Sequence, residues 1–123
     1  MISTDDSQRG DRDAVSIAEL KAAMFRAMAH PPRIRVLETL TAGERSVSEL
    51  QPEIGIESSH LSQQLGILRR AGLVSSRKEG QSVYYSLKDP QIADLLAVAR
   101  QLLIRSLTET RDLLADLHDE DVR

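Results

Sequence analysis

The sequence predicts a mainly α-helical domain carrying one small β-hairpin, on three observations. Apolar residues recur at helical spacing in five stretches, a single segment near residue 80 switches to alternation, and only three of the 123 residues are aromatic. A sheet-rich fold of this size would normally carry more aromatic side chains. With 41% hydrophobic and 28% charged residues, the chain can bury one core of Leu, Ile, Val, Ala and Met, and its length suits one domain.

Residues 1–14, MISTDDSQRGDRDA, are polar without periodicity and are expected to form a disordered N-terminal arm. Ser16 and Glu19 have capping-box spacing, and Ile17, Leu20, Met24, Phe25 and Met28 then follow a helical period, predicting a helix from about Ile17 to Ala29. His30-Pro31-Pro32 breaks it. Pro32 suits the first turn of a second helix with Ile34, Leu37 and Leu40 on one side, ended by Thr41-Ala42-Gly43. Ser46 and Glu49 form another capping box, opening a short helix with Val47 and Leu50 inward and Pro52 near its end.

Gly55 marks a turn, after which Ser58 or Ser59 is expected to cap a longer helix reaching Ala71. Leu61, Leu65 and Leu68 are its inward stripe, Gly72 its left-handed stop and Leu73 the apolar residue beyond. In LVSSRKEGQSVYYSL the period changes to two, with Val83, Tyr85 and Leu87 on one face and Ser82, Tyr84 and Ser86 on the other. The hairpin tip is expected near Glu79-Gly80. Asp89-Pro90 then starts a long helix, a capping carboxylate ahead of a proline. Its stripe of Ile92, Leu95, Leu96, Ala99, Leu102, Leu103, Leu107, Leu114 and Leu117 is too long for a domain this small to cover, and so predicts a partner. Residues 15–108 are the expected folded domain, and 109–123 the end of the last helix with an acidic tail.

A net charge of -3 argues against nucleic acid only until it is divided along the chain. Residues 1–20 and 109–123 together carry -7, leaving +4 on residues 21–108. The absence of cysteine excludes disulfides, thiolate metal sites and cysteine nucleophiles. No apolar run approaches the roughly 18 residues needed to span a bilayer, and a cytoplasmic protein is expected.

The helix from Ser58 carries the candidate site. Opposite its leucine stripe lie Ser59, Ser62, Gln63, Gly66 and Arg70, flanked by His60 and Arg69, with no carboxylate among them. Ser and Gln bond base edges or phosphates, Arg70 supplies charge, and Gly66 leaves room for close backbone approach. An ordinary solvated face would mix Glu with Lys. Arg77 and Lys78 in the hairpin, with Gln81 across its tip, are placed to reach phosphates or a minor groove, and Glu79 is read as a turn residue.

The segments AHPPRIRVLETL, SVSEL, SSHLSQQLGILRRAGLV and RKEGQSVYYSL, in this order, resemble the ArsR/SmtB family of winged helix-turn-helix repressors over roughly residues 17–105. The resemblance implies a sequence-specific DNA-binding transcriptional repressor that binds an imperfect inverted repeat of double-stranded DNA. It also implies a homodimer paired through the first and last helices, here Leu20, Met24, Leu95, Leu96, Ala99, Leu102 and Leu103. Ser58, Ser59, His60, Ser62 and Gln63 match the positions that read DNA, and Arg77, Lys78 and Gln81 match the wing. Repression is implied to be relieved by an inducer. A small molecule, an oxidant acting on Met, a histidine-linked pH change, or no inducer at all are each compatible with the residues. Two other readings remain compatible, a winged protein-interaction module and an architectural binder of DNA shape.

The metal ligands of the family are not matched. Cysteine ligands are impossible, and of the Asp, His, His and Glu pattern on the last helix only Asp89 is present, with Gln91, Leu102 and Arg105 at the other positions. Asp89 therefore reads as a helix cap. His30 reads as a helix-end residue, Met24 and Met28 as core filler, and His118 as part of an acidic tail. No cofactor is expected. Neither a glycine-flanked nucleophile nor a phosphate loop is present, so no enzymatic activity is expected either.

Overall fold

The capping signals and apolar periods set the boundaries of five helices, which a computed structural model describes over residues 14–122. All but the last residue of the expected N-terminal arm lies outside the described residues. Packing divides the chain into two units, one ending at Lys88 and one beginning at Asp89.

In the first unit, α1 (Ile17–Met28) starts at Ser16, whose Oγ accepts the Glu19 amide at 3.0 Å. Pro31 and Pro32 occupy the first turn of α2 (Pro31–Leu40), where a missing N–H has no intrahelical partner to lose. Val36, Leu37 and Leu40 are its buried residues. Ile34, expected inward, is half-buried, and Val36, which the expected stripe left out, is fully buried instead.

α3 (Val47–Ile54) has a complete capping box. The Glu49 amide donates to Ser46 Oγ and the Ser46 amide to Glu49 Oε1, both at 3.1 Å. Gly55, at φ 74°, ends it in the left-handed conformation. α4 (Ser58–Arg70) follows after a short link. Its exit is a full Schellman motif, with the Gly72 amide donating to Arg69 O and the Leu73 amide to Leu68 O, each at 3.0 Å. Leu61, Leu65 and Leu68 are fully buried as the period predicts, and so are Val36 and Leu37 of α2 and Leu50 of α3.

A strand not foreseen in the sequence completes the unit. β1 (Arg45–Ser46) pairs with β3 (Ser82–Leu87), which also pairs with β2 (Val74–Glu79), giving an antiparallel sheet in the order β1-β3-β2. A strand of two residues, the second of which is itself the cap of α3, carries no period, so nothing local announces it. The hairpin tip is Gly80-Gln81, one residue later than expected, closing Glu79 onto Ser82. Gly80 has φ 61° and Gln81 a negative φ, as a type II′ turn requires. Being the central strand, β3 has Val83 through Leu87 all half-buried, so the expected two-faced alternation is lost.

The second unit is one helix, α5 (Gln91–Val122), 32 residues or about 48 Å long. Asp89 Oδ1 accepts the Gln91 amide at 2.9 Å, the capping role read from its position. The helix continues through the expected acidic tail. Val98, Leu102, Leu103, Leu107, Leu113, Leu114 and Leu117 are all exposed along it. No helix among the described residues is long and apolar enough to cross a membrane.

Candidate nucleic-acid interface

Burying Leu61, Leu65 and Leu68 turns the other side of α4 outward. Ser59, His60, Ser62, Gln63, Arg69 and Arg70 are all exposed, and no acidic residue lies between Ser58 and Arg70. A Cβ at Gly66 would lie 3.3 Å from Arg70 Nη1, the end of an exposed side chain that folds back one turn over the glycine.

Two side chains that periodicity did not single out set the orientation of this helix. Gln64 is only 8% exposed and accepts a bond of 2.7 Å from Arg33 Nε, while Arg33 Nη1 donates to Ala27 O at 3.2 Å. One guanidinium thereby ties the end of α1 and the start of α2 to the middle of α4. The available signal was a glutamine standing beside Leu65 on the leucine stripe.

Gln51 of α3 is the second. Its amide nitrogen donates to Ile56 O at 2.7 Å and its Oε1 accepts the Ser58 hydroxyl, so one side chain closes the turn between α3 and α4. The expected serine cap is thus corrected. Glu57 holds the cap position without a side-chain bond, Ser58 is the first helical residue, and its hydroxyl is turned back to Gln51. Ser59 and Ser62 keep their hydroxyls on the exposed face.

In the hairpin, Lys78 and Gln81 are exposed, and Lys78 makes no ion pair among the described residues. Arg77 differs from expectation. Its Nε and Nη2 donate to the two oxygens of Glu44 at 2.9 and 2.7 Å, and its Nη1 to Glu79 Oε2 at 2.6 Å. The Arg77 Cζ lies 4.5 Å from the centroid of the Tyr84 ring directly across the ladder. The hydrogen bond from Arg77 holds the Glu44 carboxyl below its ordinary value, and the bonds Arg77 donates to Glu44 and Glu79 raise it further above its own. Glu79, read as a turn residue, is the last residue of β2 and one of these two carboxylates.

Of the residues weighed as metal ligands, His30 stands exposed at the N-cap of α2 and His118 within α5, while Met28 is buried core and Met24 half-buried. Among the described residues no three His, Asp or Glu side chains cluster as a metal would require. The residues expected to pair two copies are uncovered in part. Leu20 of α1 is 53% exposed, and Leu102 and Leu103 of α5 are 59% and 63% exposed. Met24, Leu95 and Leu96 are half-buried and Ala99 is exposed.

A family model for a helix-turn-helix domain matches residues 28–77, the end of α1 to the middle of β2. An uncharacterized HTH-type transcriptional regulator of Mycobacterium tuberculosis, Rv0081, is 53% identical over 100 residues, spanning 80% of this chain and 88% of that protein. Its crystal structure superposes with a TM-score of 0.72 at 51% identity, covering 79% of this chain and 98% of that one. The chain belongs to the ArsR-type family of winged helix-turn-helix transcriptional regulators. The transcriptional repressor BigR of Xylella fastidiosa is also similar, at 31% identity and a TM-score of 0.63, covering 80% of this chain and 94% of that one. So is the homodimeric winged helix-turn-helix DNA-binding domain Mb0332 of Mycobacterium bovis, described as a possible ArsR-family regulator. It is 28% identical with a TM-score of 0.69 over 76% of this chain and 86% of that one. In this ArsR-type regulator α3 and α4 are the helix-turn-helix and the β2–β3 hairpin is the wing.

Proposed function

We propose that this regulator is a homodimeric, sequence-specific transcriptional repressor of the cytoplasm, without catalytic activity, that binds an imperfect inverted repeat of double-stranded DNA. The observation that carries the reading is the exposed face of α4, which offers Ser59, Ser62, Gln63 and Arg70 with no carboxylate. Placed in a major groove, these side chains bond base edges, His60 and Arg69 flank them, and Lys78 and Gln81 of the wing reach the adjoining backbone. Ser58 acts at the entry of the helix through Gln51.

Pairing of two copies through α1 and α5 across a two-fold axis would cover the exposed apolar residues of both helices, with two α4 helices in successive major grooves, about 34 Å apart. The homodimeric state of Mb0332 supports this arrangement. A small-molecule or oxidant inducer would act by changing that separation. The chain has no cysteine, so such an oxidant would have methionine as its target.

Selection from a pool of random duplexes tests the proposal. The expected result is recovery of one inverted repeat whose scrambling abolishes binding at physiological salt, with affinity falling steeply as salt rises. Equal affinity for every duplex refutes sequence-specific repression and favours an architectural role. Loss of the repeat in Gln63→Ala with retained folding places the reading on α4.

A further inference from the structure

The wing of this regulator holds two adjacent cations in different circumstances. Arg77 has each of its three nitrogens bonded to a carboxylate, two on Glu44 and one on Glu79, and covers Tyr84. Lys78, one residue on, points to the opposite face of the strand and makes no ion pair among the described residues. The triad of Glu44, Arg77 and Glu79 carries a net charge of -1. A phosphate brought to Arg77 would have to displace a bidentate carboxylate and then lie against two negative groups.

The triad also has a mechanical position. Arg77 is in β2, Tyr84 lies opposite it in β3, and Glu44 immediately precedes β1, whose Ser46 pairs with Tyr84. The guanidinium therefore spans all three strands from the outermost one to the loop that leads into α3. A two-stranded hairpin is marginal by itself, and β1 contributes only two residues to its support.

We propose that Arg77 is a positioning residue. It fixes the stance of the wing by tying β2 across Tyr84 to Glu44, and the phosphate-neutralising cation of the wing is Lys78. This rests on the DNA-binding reading above, in which the wing lies on the duplex backbone. Arginine is required because its planar fork satisfies both oxygens of Glu44 while stacking on the ring, which an ammonium cannot do.

The test measures affinity against salt for the duplex that the wild-type protein selects from a random pool, using Arg77→Lys, Arg77→Gln, Glu44→Gln and Lys78→Ala. Lys78→Ala is expected to shallow the slope of log affinity on log salt by about 0.9 for each phosphate that Lys78 neutralises. Arg77→Lys and Arg77→Gln are both expected to weaken binding by on the order of tenfold, the loss of one bidentate pair, with the slope unchanged. Glu44→Gln added to Arg77→Gln should have no further effect. Amide hydrogen exchange on the DNA-free protein supplies an independent reading, with faster exchange in β2 and β3 of Arg77→Lys and wild-type rates in Lys78→Ala.

Full activity in Arg77→Lys, or a slope shallowed by Arg77→Gln as much as by Lys78→Ala, overturns the proposal by putting Arg77 itself on a phosphate. Unchanged hairpin exchange in Arg77→Lys overturns it without reference to DNA. If the wild-type protein selects no duplex, the DNA-binding reading itself fails, and this inference with it.

Discussion

Replacing Gln64 by Leu should destabilise the protein only while Arg33 is present. Gln64 is 8% exposed on the stripe between Leu61, Leu65 and Leu68, and its Oε1 accepts a charge-assisted bond of 2.7 Å from Arg33. Hydrogen bonds to charged groups contribute roughly 1.5–3 kcal/mol, and Arg33 is half-buried, so part of its desolvation is recovered by water when the acceptor goes. The bond to Ala27 O survives the change. Gln64→Leu should therefore cost about 1–2 kcal/mol in the wild-type background. In an Arg33→Met background the same change leaves no unpaired cation and adds apolar surface to the core, so it should be neutral or stabilising. The coupling between the two sites is expected near about 1.5 kcal/mol. Urea unfolding of the four proteins of the cycle at one fixed protein concentration measures it, since the stability of a dimer depends on concentration. Effects that add to within about 0.5 kcal/mol would refute the claim that Arg33 and Gln64 act as a unit in holding α4.

Gly72→Ala should destabilise by about 1–2 kcal/mol, because φ is +76° there and the Schellman bonds require it; thermal melts compared with Ala71→Gly check this. The carboxyls of Glu44 and Glu49 are held below their ordinary value of 4.5, by Arg77 in one case and by the Ser46 amide and hydroxyl in the other. A depressed folded value means that their stabilisation is present above pH 4.5 and is lost as pH falls through and below that value. Melting temperature followed downward from pH 7 should therefore fall less steeply in a Glu44→Gln, Glu49→Gln variant than in the wild type. Leu103→Asp with Leu107→Asp should turn the proposed dimer into a folded monomer in sedimentation, and weaken binding to the selected duplex by at least about a hundredfold through loss of linked half-sites. A variant that remains dimeric would remove α5 from the interface.

Much of the wing was legible because its determinants are local, but its outcome was not. Gly80 between two apolar-containing runs announces a hairpin, though its tip falls one residue later than expected, and Lys78 was legible as a cation near that tip. Whether Arg77 points to solvent or to Glu44 depends on a residue 33 positions away, which the pairing of β1 with β3 brings alongside. The same distance hid β1. On α4 the leucine stripe was readable from its period, and with it the exposed polar face. The serine cap misled because Ser58 and Ser59 are both good capping residues, and the choice between capping and bonding Gln51 is made by the fold of the turn.

The sequence by itself determined the order of helices and hairpin, the buried leucines of α4, the capping box at Ser46, the left-handed stop at Gly72 and the lack of thiolate ligands. Each follows from a pattern contained within a few residues of one another, where spacing on a helix or strand decides which face a side chain takes. Only the tertiary structure decided the roles of Arg33, Gln51, Gln64 and Arg77. These are long or polar side chains with several partners within reach, and the partner each one takes is set by which distant segment the hydrophobic core has already brought to it.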